Sequence, residues 1–231
     1  MSYFVRFLLL CCTVALAIPT YANALNERDA VVSRQTGKLQ IRVHYPITGN
    51  ARVDADVADW AHQAVDTFQN TYGEEPDLGV PYELETTYST TRSTPFVLSI
   101  VWKTASYTGG AHGIYMSTFL NFDLRTLAPI RLDDLFVGDY KEQLTDLLWN
   151  QLMADNKVAT RQELEDMGYV TTGDLTPTEN FYLSKEGITF YYNVYDIAPY
   201  VMGPVKITLP YEMMQHLLSD DTMALNEVRN S

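Results

Sequence analysis

A glycine-rich loop carries the residue types best suited to contact a ligand through exposed backbone. Residues 107–113 read YTGGAHG, with three glycines in five residues. Glycine has no Cβ, so it adopts positive φ and allows a ligand to approach backbone N–H groups closely. Histidine adds a group that can transfer a proton near neutral pH. We therefore expect Tyr107, Gly109, Gly110 and His112 to contribute to a binding site. The alternative is a tight strand connection in which His112 hydrogen-bonds the loop to itself.

A second candidate surface lies in a tyrosine-rich segment. Residues 191–200 read YYNVYDIAPY and are followed by a Gly-Pro pair. Each tyrosine ring offers contact area and one hydrogen-bonding hydroxyl. One interpretation is a sheet with aromatic cross-strand pairs that ends at a proline-bounded corner. The other is an aromatic contact surface for a protein or a glycan, with Tyr195 and Tyr200 as its ligand-binding residues. Strand alternation predicts that Tyr191 and Tyr195 share one face.

No catalytic or metal-binding motif accompanies these segments. The chain contains no G-x-S-x-G elbow, no H-E-x-x-H, no P-loop and no G-x-G-x-x-G. Its four histidines are scattered, and none has a second ligand at metal-binding spacing. Neither a metal nor a cofactor is predicted, and no catalytic residue is assigned. Asp133 and Asp134 are predicted to be turn and cap residues, although two acids from distant segments can converge into a glycosidase site.

The elements that must position these segments are mostly strands. Alternating apolar residues, apolar runs and a Thr- and Tyr-rich segment predict strands over residues 39–45, 82–91, 96–107, 114–124, 181–184, 188–195 and 205–209. Helical spacing and capping patterns predict a helix ending near Tyr72-Gly73, one capped by Asp139 with Glu142, a short one capped by Thr160 with Glu163, and one over 211–218. Because strands mostly neighbour strands, the predicted fold class is α+β with a largely antiparallel sheet and three to four helices.

The first 24 residues have the pattern of a secretory signal peptide. Arg6 precedes an apolar stretch over 7–18, and residues 22–24 form an A-x-A cleavage site. Cleavage after Ala24 removes both cysteines, Cys11 and Cys12, so the mature protein is expected to lack disulfides. Lipoprotein processing at Cys11 or Cys12 is the alternative, disfavoured by the bulky Leu10 before Cys11. No further apolar span follows, so the expected location is the periplasm or the cell exterior.

The charge balance restricts the class of partner. Acidic residues outnumber basic ones 29 to 16, which gives a net charge of −13. A field of that sign repels phosphate backbones and anionic lipid surfaces, so nucleic acid is not expected as a partner. The same field favours encounter with a basic protein.

Three motifs, in a fixed order, resemble the RsiV-type extracytoplasmic domain family. They are the YTGGAHG loop, the segment STFLNFDLRTLAPIRLDDLF at 117–136, and GITFYYNVYDIAPYVMGPVKITLPY at 187–211. The family takes its name from a lysozyme-sensing anti-sigma factor, and a related domain pair precedes the catalytic domain of the peptidoglycan deacetylase PdaC. The resemblance spans about residues 39–218. It implies an α+β fold of two closely packed halves, 25–95 and 96–231.

What the resemblance implies for function is a non-enzymatic, exported binding domain. Its expected partner is a basic, cell-wall-directed protein such as lysozyme, or peptidoglycan itself. The resemblance supplies no catalytic residue. The alternatives are a small periplasmic glycan-processing hydrolase with a convergent carboxylate and histidine site, and a structural protein of the envelope.

Overall fold

The computed structural model of the chain describes residues 28–94 and 96–222. The predicted signal peptide, its cleavage site and both cysteines lie outside these residues. The elements, in chain order, are β1 (Arg28–Gln35), β2 (Leu39–Ile47), α1 (Ala51–Tyr72), β3 (Tyr82–Thr94), β4 (Val97–Tyr107), β5 (Ile114–Asp123), β6 (Ala128–Pro129), α2 (Leu132–Leu135), α3 (Lys141–Asn156), α4 (Arg161–Asp166), β7 (Phe181–Leu183), β8 (Gly187–Tyr192), a 3₁₀ turn (Tyr200–Met202), β9 (Val205–Pro210) and α5 (Tyr211–Met214). The α+β class is confirmed.

A six-stranded sheet, in the order β1 to β6, forms the first part of the fold. Its neighbours pair antiparallel except β2 and β3, which are parallel because α1 crosses over between them. The Asn50 side chain caps α1 by accepting hydrogen bonds from the N–H groups of Arg52 and Val53. The helix buries its apolar stripe against one face of the sheet. Buried residues on that side include Val57, Ala61 and Val65 of α1, and Ile41, Val43, Ile100 and Trp102 of the sheet.

A three-stranded antiparallel sheet, β7 to β9, forms the second part. It carries the largest buried apolar cluster of the described chain. Leucines at helical spacing on α3, Leu144, Leu148 and Leu152, join Phe190 and Ile207 of the strands in that cluster. The second sheet therefore has its own core, separate from the one under α1.

Asparagine side chains join the two sheets. Asn121 of β5 is 2% exposed, and its Nδ2 donates to the carbonyl oxygen of Phe181 in β7 at 2.8 Å. Its Oδ1 accepts from the Ser99 hydroxyl at 2.7 Å. Asn180 and Asn193 bond the β5 backbone in the same way. These amides hold the second sheet against β5 without extending either sheet across the junction.

Most predicted elements are confirmed, since every predicted strand is present and the Thr160–Glu163 capping box forms. The Asp139 cap is wrong, because α3 begins after Tyr140, whose buried ring packs on Phe136 and fixes the chain there. The last helix stops at Met214 because residues 217–219 instead bond the backbone of residues 135–137.

Two further differences concern strands. The prediction for 188–195 is wrong at its end, because β8 stops at Tyr192 and residues 193–196 form a turn. Strand β1 was not predicted, since its sequence RDAVVSRQ has no strict alternation and it is largely exposed. The division expected between residues 95 and 96 lies in the connection between β3 and β4, which pair in the same sheet; this division stays a prediction.

Candidate functional site

A groove of about 650 Å³ lies between the face of the six-stranded sheet opposite α1 and the corner that follows β8. Residues 194–204 form this corner. The sheet side contributes Glu85, Thr87, Lys103, Ala105, Tyr115 and Ser117 to the lining. The second sheet and the corner contribute Tyr191, Val194, Tyr200, Val201, Met202 and Pro204. The groove thus has a mixed polar floor and a mainly apolar wall.

Strand register places the floor residues in two rows. Glu85 lies opposite Ala105, which lies opposite Tyr115, and one step along the sheet Thr87, Lys103 and Ser117 form the next row. Directly paired residues project from the same face, so both rows face the groove. Residues that alternate with these rows along the strands, such as Trp102 next to Lys103, point to the core under α1.

The corner is fixed by local hydrogen bonds. The N–H of Asn193 donates to Oδ2 of Asp196 at 2.7 Å, and the N–H of Tyr195 donates to the carbonyl of Ala198 at 3.0 Å. Tyr195 has a φ of 72°, a left-handed conformation that a bulky side chain rarely adopts. The prediction that Tyr191 and Tyr195 share a strand face is wrong, because the turn places Tyr195 beyond the end of β8.

The glycine-rich loop packs against this corner. The ring of His112 lies 4.6 Å from that of Tyr200, and the ring of Tyr200 lies 5.8 Å from that of Tyr195, centroid to centroid. The loop and the tyrosine segment, which are distant in sequence, therefore meet at one aromatic stack. Tyr200 belongs to both the stack and the groove lining.

The remaining loop residues shape the loop rather than line the groove. The Tyr107 hydroxyl donates to the carbonyl of Gly110 at 3.1 Å. Gly109 and Gly110 have φ values of 100° and 90°, which explains the need for glycine at both positions. The ring of His112 is exposed, and its Nδ1 lies 2.9 Å from the carbonyl oxygen of Gly113. Removing this ring breaks a solvent-exposed hydrogen bond and the ring contact with Tyr200.

The floor of the groove was missed by sequence reasoning. Its exposed residue Tyr115 is visible in the sequence only as one aromatic residue in a predicted strand. Tyr115 is 69% exposed, and Val201 on the opposite wall is 89% exposed. Contiguous exposed apolar side chains on a protein surface usually mark a binding site. The exposed Tyr115 and Val201 on the two sides of the groove therefore indicate a contact region.

The charged groups of the groove are few. Glu85 and Lys103 are the charged residues among the described lining, and no ion pair forms between them. Ser117 bonds the Tyr191 hydroxyl through its Oγ at 3.3 Å, so the floor and the wall are linked by a polar contact.

A second cleft, of about 450 Å³, brings three carboxylates together. Asp133, Glu142 and Glu179 line it with Tyr140. The Tyr140 hydroxyl donates to Oδ1 of Asp133 at 2.6 Å, and burial together with Asp133 raises the pKa of Tyr140 well above its usual range. Glu179 accepts from the N–H of Leu132 at 3.2 Å. Glu179 therefore holds the start of α2, and Asp133 holds Tyr140 at the start of α3.

The predicted cap role of Asp134 is confirmed, since its Oδ2 accepts from the N–H of Arg131 at 2.8 Å. Across residues 28–94 and 96–222, no group of three or more histidine, aspartate, glutamate or cysteine side chains is arranged to hold a metal ion. Within the same ranges, no helix is both long and apolar enough to cross a membrane.

Two family models match different parts of the chain. The family described as "Protein of unknown function (DUF3298)" matches residues 133–212, and the family described as "Deacetylase PdaC" matches residues 11–115. A crystal structure of a DUF3298 family member from Bacteroides fragilis is 39% identical, with a TM-score of 0.70, and covers 88% of this chain and 98% of that one. A DUF3298 family protein from Pseudomonas aeruginosa, 17% identical with a TM-score of 0.63, has the same fold over 85% of this chain and 93% of that one.

Curated relatives extend the similarity. The peptidoglycan-N-acetylmuramic acid deacetylase PdaC of Bacillus subtilis is 24% identical over 218 residues, which are 90% of this chain and 45% of the deacetylase. The chain thus spans less than half the length of that enzyme. The immunogenic protein MPT64 of Mycobacterium tuberculosis is 23% identical over 220 residues, 91% of this chain and 94% of the relative.

Proposed function

The chain belongs to the DUF3298 family, and on that premise we propose that it is an extracytoplasmic, cell-wall-related domain that binds peptidoglycan in the groove. In this proposal residues 1–24 are removed on export, and the mature protein acts in the periplasm or outside the cell. Its binding surface comprises the floor rows of β3–β5, the corner 194–204 and the His112–Tyr200 stack.

The observation that carries the proposal is the pairing of an exposed apolar wall with a polar floor. Tyr115 and Val201 stand 69% and 89% exposed on either side of the groove, although burying such side chains stabilises a protein by about 1.5–3 kcal/mol each. Thr87, Lys103 and Ser117 supply hydrogen-bonding groups between them. Pockets for small ligands combine these two features.

Similarity to the deacetylase supports the choice of ligand. The name of that enzyme gives peptidoglycan as the material on which it acts, and 90% of this chain aligns with less than half of the enzyme. A shared wall-binding function in the aligned part is consistent with the groove chemistry.

Binding rather than hydrolysis is favoured by the groups in the groove. Among its described lining residues Glu85 is the only carboxylate. A glycosidase site uses two facing carboxyl groups. His112 contacts the Tyr200 ring and the Gly113 carbonyl, and among the described residues its ring forms no ion pair with a carboxylate.

Sedimentation with insoluble peptidoglycan tests the proposal. We expect the protein to sediment with purified cell-wall sacculi. Tyr115→Thr and Val201→Ser should each lower the affinity for sacculi about fivefold, because each removes apolar contact worth about 1 kcal/mol. Val137→Ser is the matched control, since Val137 is 52% exposed and lies outside the groove lining. Equal binding by the groove variants and the control would show that the groove is not the site.

A second candidate partner is a basic protein such as lysozyme, as the RsiV-type resemblance implies. The supporting observation is the net charge of −13, which would steer a basic partner towards the domain. Binding should weaken with salt, because exposed charges are screened beyond about 8 Å at physiological ionic strength. Titration calorimetry at two salt concentrations, with Tyr200→Ala as the site variant, checks this. Heat at low salt alone would mean charge attraction only, and no heat at either would reject lysozyme.

A further inference from the structure

The outer edge of β5 is bonded by asparagine side chains instead of by a strand. The N–H of Ser117 donates to Oδ1 of Asn193 at 2.7 Å, and the N–H of Phe119 donates to Oδ1 of Asn180 at 3.0 Å. The carbonyl of Ser117 accepts from Nδ2 of both asparagines, at 3.0 and 3.1 Å. The two amides thus take the place of a neighbouring strand over this stretch.

The asparagine side chains bond the edge of β5 only as far as Ser117, two residues from Tyr115. At the other end of this stretch, the carbonyl of Asn121 accepts a hydrogen bond from the N–H of Ile130. Residues 117, 119 and 121 therefore all direct backbone groups away from β4. By the two-residue period of a strand, Tyr115 directs its N–H and C=O to the same side. No hydrogen bond to either group is formed by the described residues on that side.

The groove runs along this open edge. Tyr115 and Ser117 project from one face of β5 and Met116 from the other, yet all three line the groove. The lining thus includes three consecutive residues of β5 at the stretch where its outer edge is open. The facing wall, Val201 to Pro204, leaves a channel beside Tyr115 instead of a covered edge.

This geometry favours one ligand chemistry. The N–H and C=O of Tyr115 point to the same side, and an extended peptide residue presents its own N–H and C=O in the matching arrangement. A single N-acetyl amide of a sugar cannot do this, because its N–H and C=O are trans and point in opposite directions. An extended peptide therefore fits the edge better than a sugar ring does.

We propose that the groove holds the peptide stem of peptidoglycan, which pairs with the backbone of Tyr115 as a short added strand and places a free carboxylate at Lys103. The inference rests on the proposed function and names the part of the wall that is recognised. Lys103 lies opposite Ser117 in register, lines the groove and forms no ion pair with a described residue. Of the two charged lining residues, Lys103 is on the strand next to β5 and Glu85 is one strand further away, so a ligand at the edge of β5 is favoured if it brings an anion to Lys103.

Three wall fragments separate this inference from the proposed function. The probes are the free stem peptide, the disaccharide without peptide, and glycan strands stripped of peptide. We expect the stem peptide to bind and the two sugar probes to bind at least tenfold more weakly. If stripped glycan binds as well as intact wall, the peptide inference is wrong and the proposed function stands. If intact wall does not bind, both fail. An unrelated all-L peptide of equal length that binds as tightly would show that the edge takes protein segments, and would overturn the stem assignment.

Two site measurements test the contacts themselves. Lys103→Gln should weaken stem-peptide binding about tenfold, the loss expected for one charge-assisted hydrogen bond, while Lys185→Gln in the exposed β7–β8 turn should leave it unchanged. Amide hydrogen exchange of Tyr115 should slow at least tenfold when the peptide is added, whereas that of Phe119, already bonded by Asn180, should not change. Unaltered exchange at Tyr115 in the presence of saturating peptide would refute strand addition.

Discussion

The buried amide of Asn121 is expected to be the most costly single polar group to remove from the junction between the sheets. In Asn121→Leu, a side chain of similar size takes its place and leaves the Ser99 hydroxyl and the Phe181 carbonyl without their partner. Each buried, unsatisfied group costs about 1–3 kcal/mol, and burial of the leucine side chain compensates part of this cost. The free energy of unfolding should therefore fall by about 2–4 kcal/mol. That is a large part of the ~5–15 kcal/mol that stabilises a typical domain.

Urea unfolding followed by circular dichroism measures this loss as a lower midpoint at similar slope. Ser99→Ala combined with Asn121→Leu should recover about 1–2 kcal/mol relative to Asn121→Leu alone, because the orphaned hydroxyl is then gone and only the carbonyl stays unpaired. Asn150→Leu, on the exposed side of α3, is the matched control and should change stability by less than about 0.5 kcal/mol. If Asn121→Leu lowers the free energy of unfolding by less than Asn150→Leu does, the Asn121 amide does not stabilise the junction between the sheets.

Three further outcomes follow from described contacts. Trp102→Phe should destabilise the protein by about 2–4 kcal/mol in urea unfolding, since it removes the indole N–H bond to the His44 carbonyl at 3.0 Å and leaves a cavity; a change under half of this would contradict it. Burial alone would raise the pKa of the Asp123 carboxyl, but the hydrogen bonds and charge of Arg125 outweigh it and lower that pKa. The stabilisation from this pair is therefore present above the unfolded-state pKa and is lost as the pH falls through the lower folded-state value, so Arg125→Gln should flatten the acid limb of a stability–pH curve, and an identical limb would disprove the pairing. Tyr195→Asn should leave the melting temperature unchanged or raise it, because asparagine tolerates the φ of 72°; a clear drop would show that the ring contact matters more than the strain.

The sequence was sufficient to predict helices and strands whose pattern of apolar residues depends on that element alone. Alternating residues in 39–45 and the apolar stripe of α3 report burial on one face, and both elements are present. The position of α3's start could not be read in the same way, because burial of the Tyr140 ring on Phe136 overrides the local capping signal of Asp139. Strand β1 has little apolar content of its own and depends on pairing with β2.

The candidate site divides along the same line. Local clusters of glycine and tyrosine in the sequence were enough to predict His112, Tyr195 and Tyr200 as candidate binding residues. The floor formed by Glu85, Lys103 and Tyr115 arises from the register of three strands, and no local signal reports that register. Asn180 and Asn193 read as ordinary loop residues until the fold places them on the edge of β5.

Separate cores for the two sheets have a kinetic consequence. Apolar burial lies mainly within each part, while amide contacts such as that of Asn121 with Phe181, 60 residues apart, and the ring contact of Phe119 with Tyr182 connect the two parts. Contacts distant in sequence and weak in apolar area are expected to form after the rate-limiting step of folding. Weakening the amide junction should then leave the refolding rate unchanged and accelerate unfolding, so the lifetime of the native state, rather than the speed at which it is reached, is set at the asparagines.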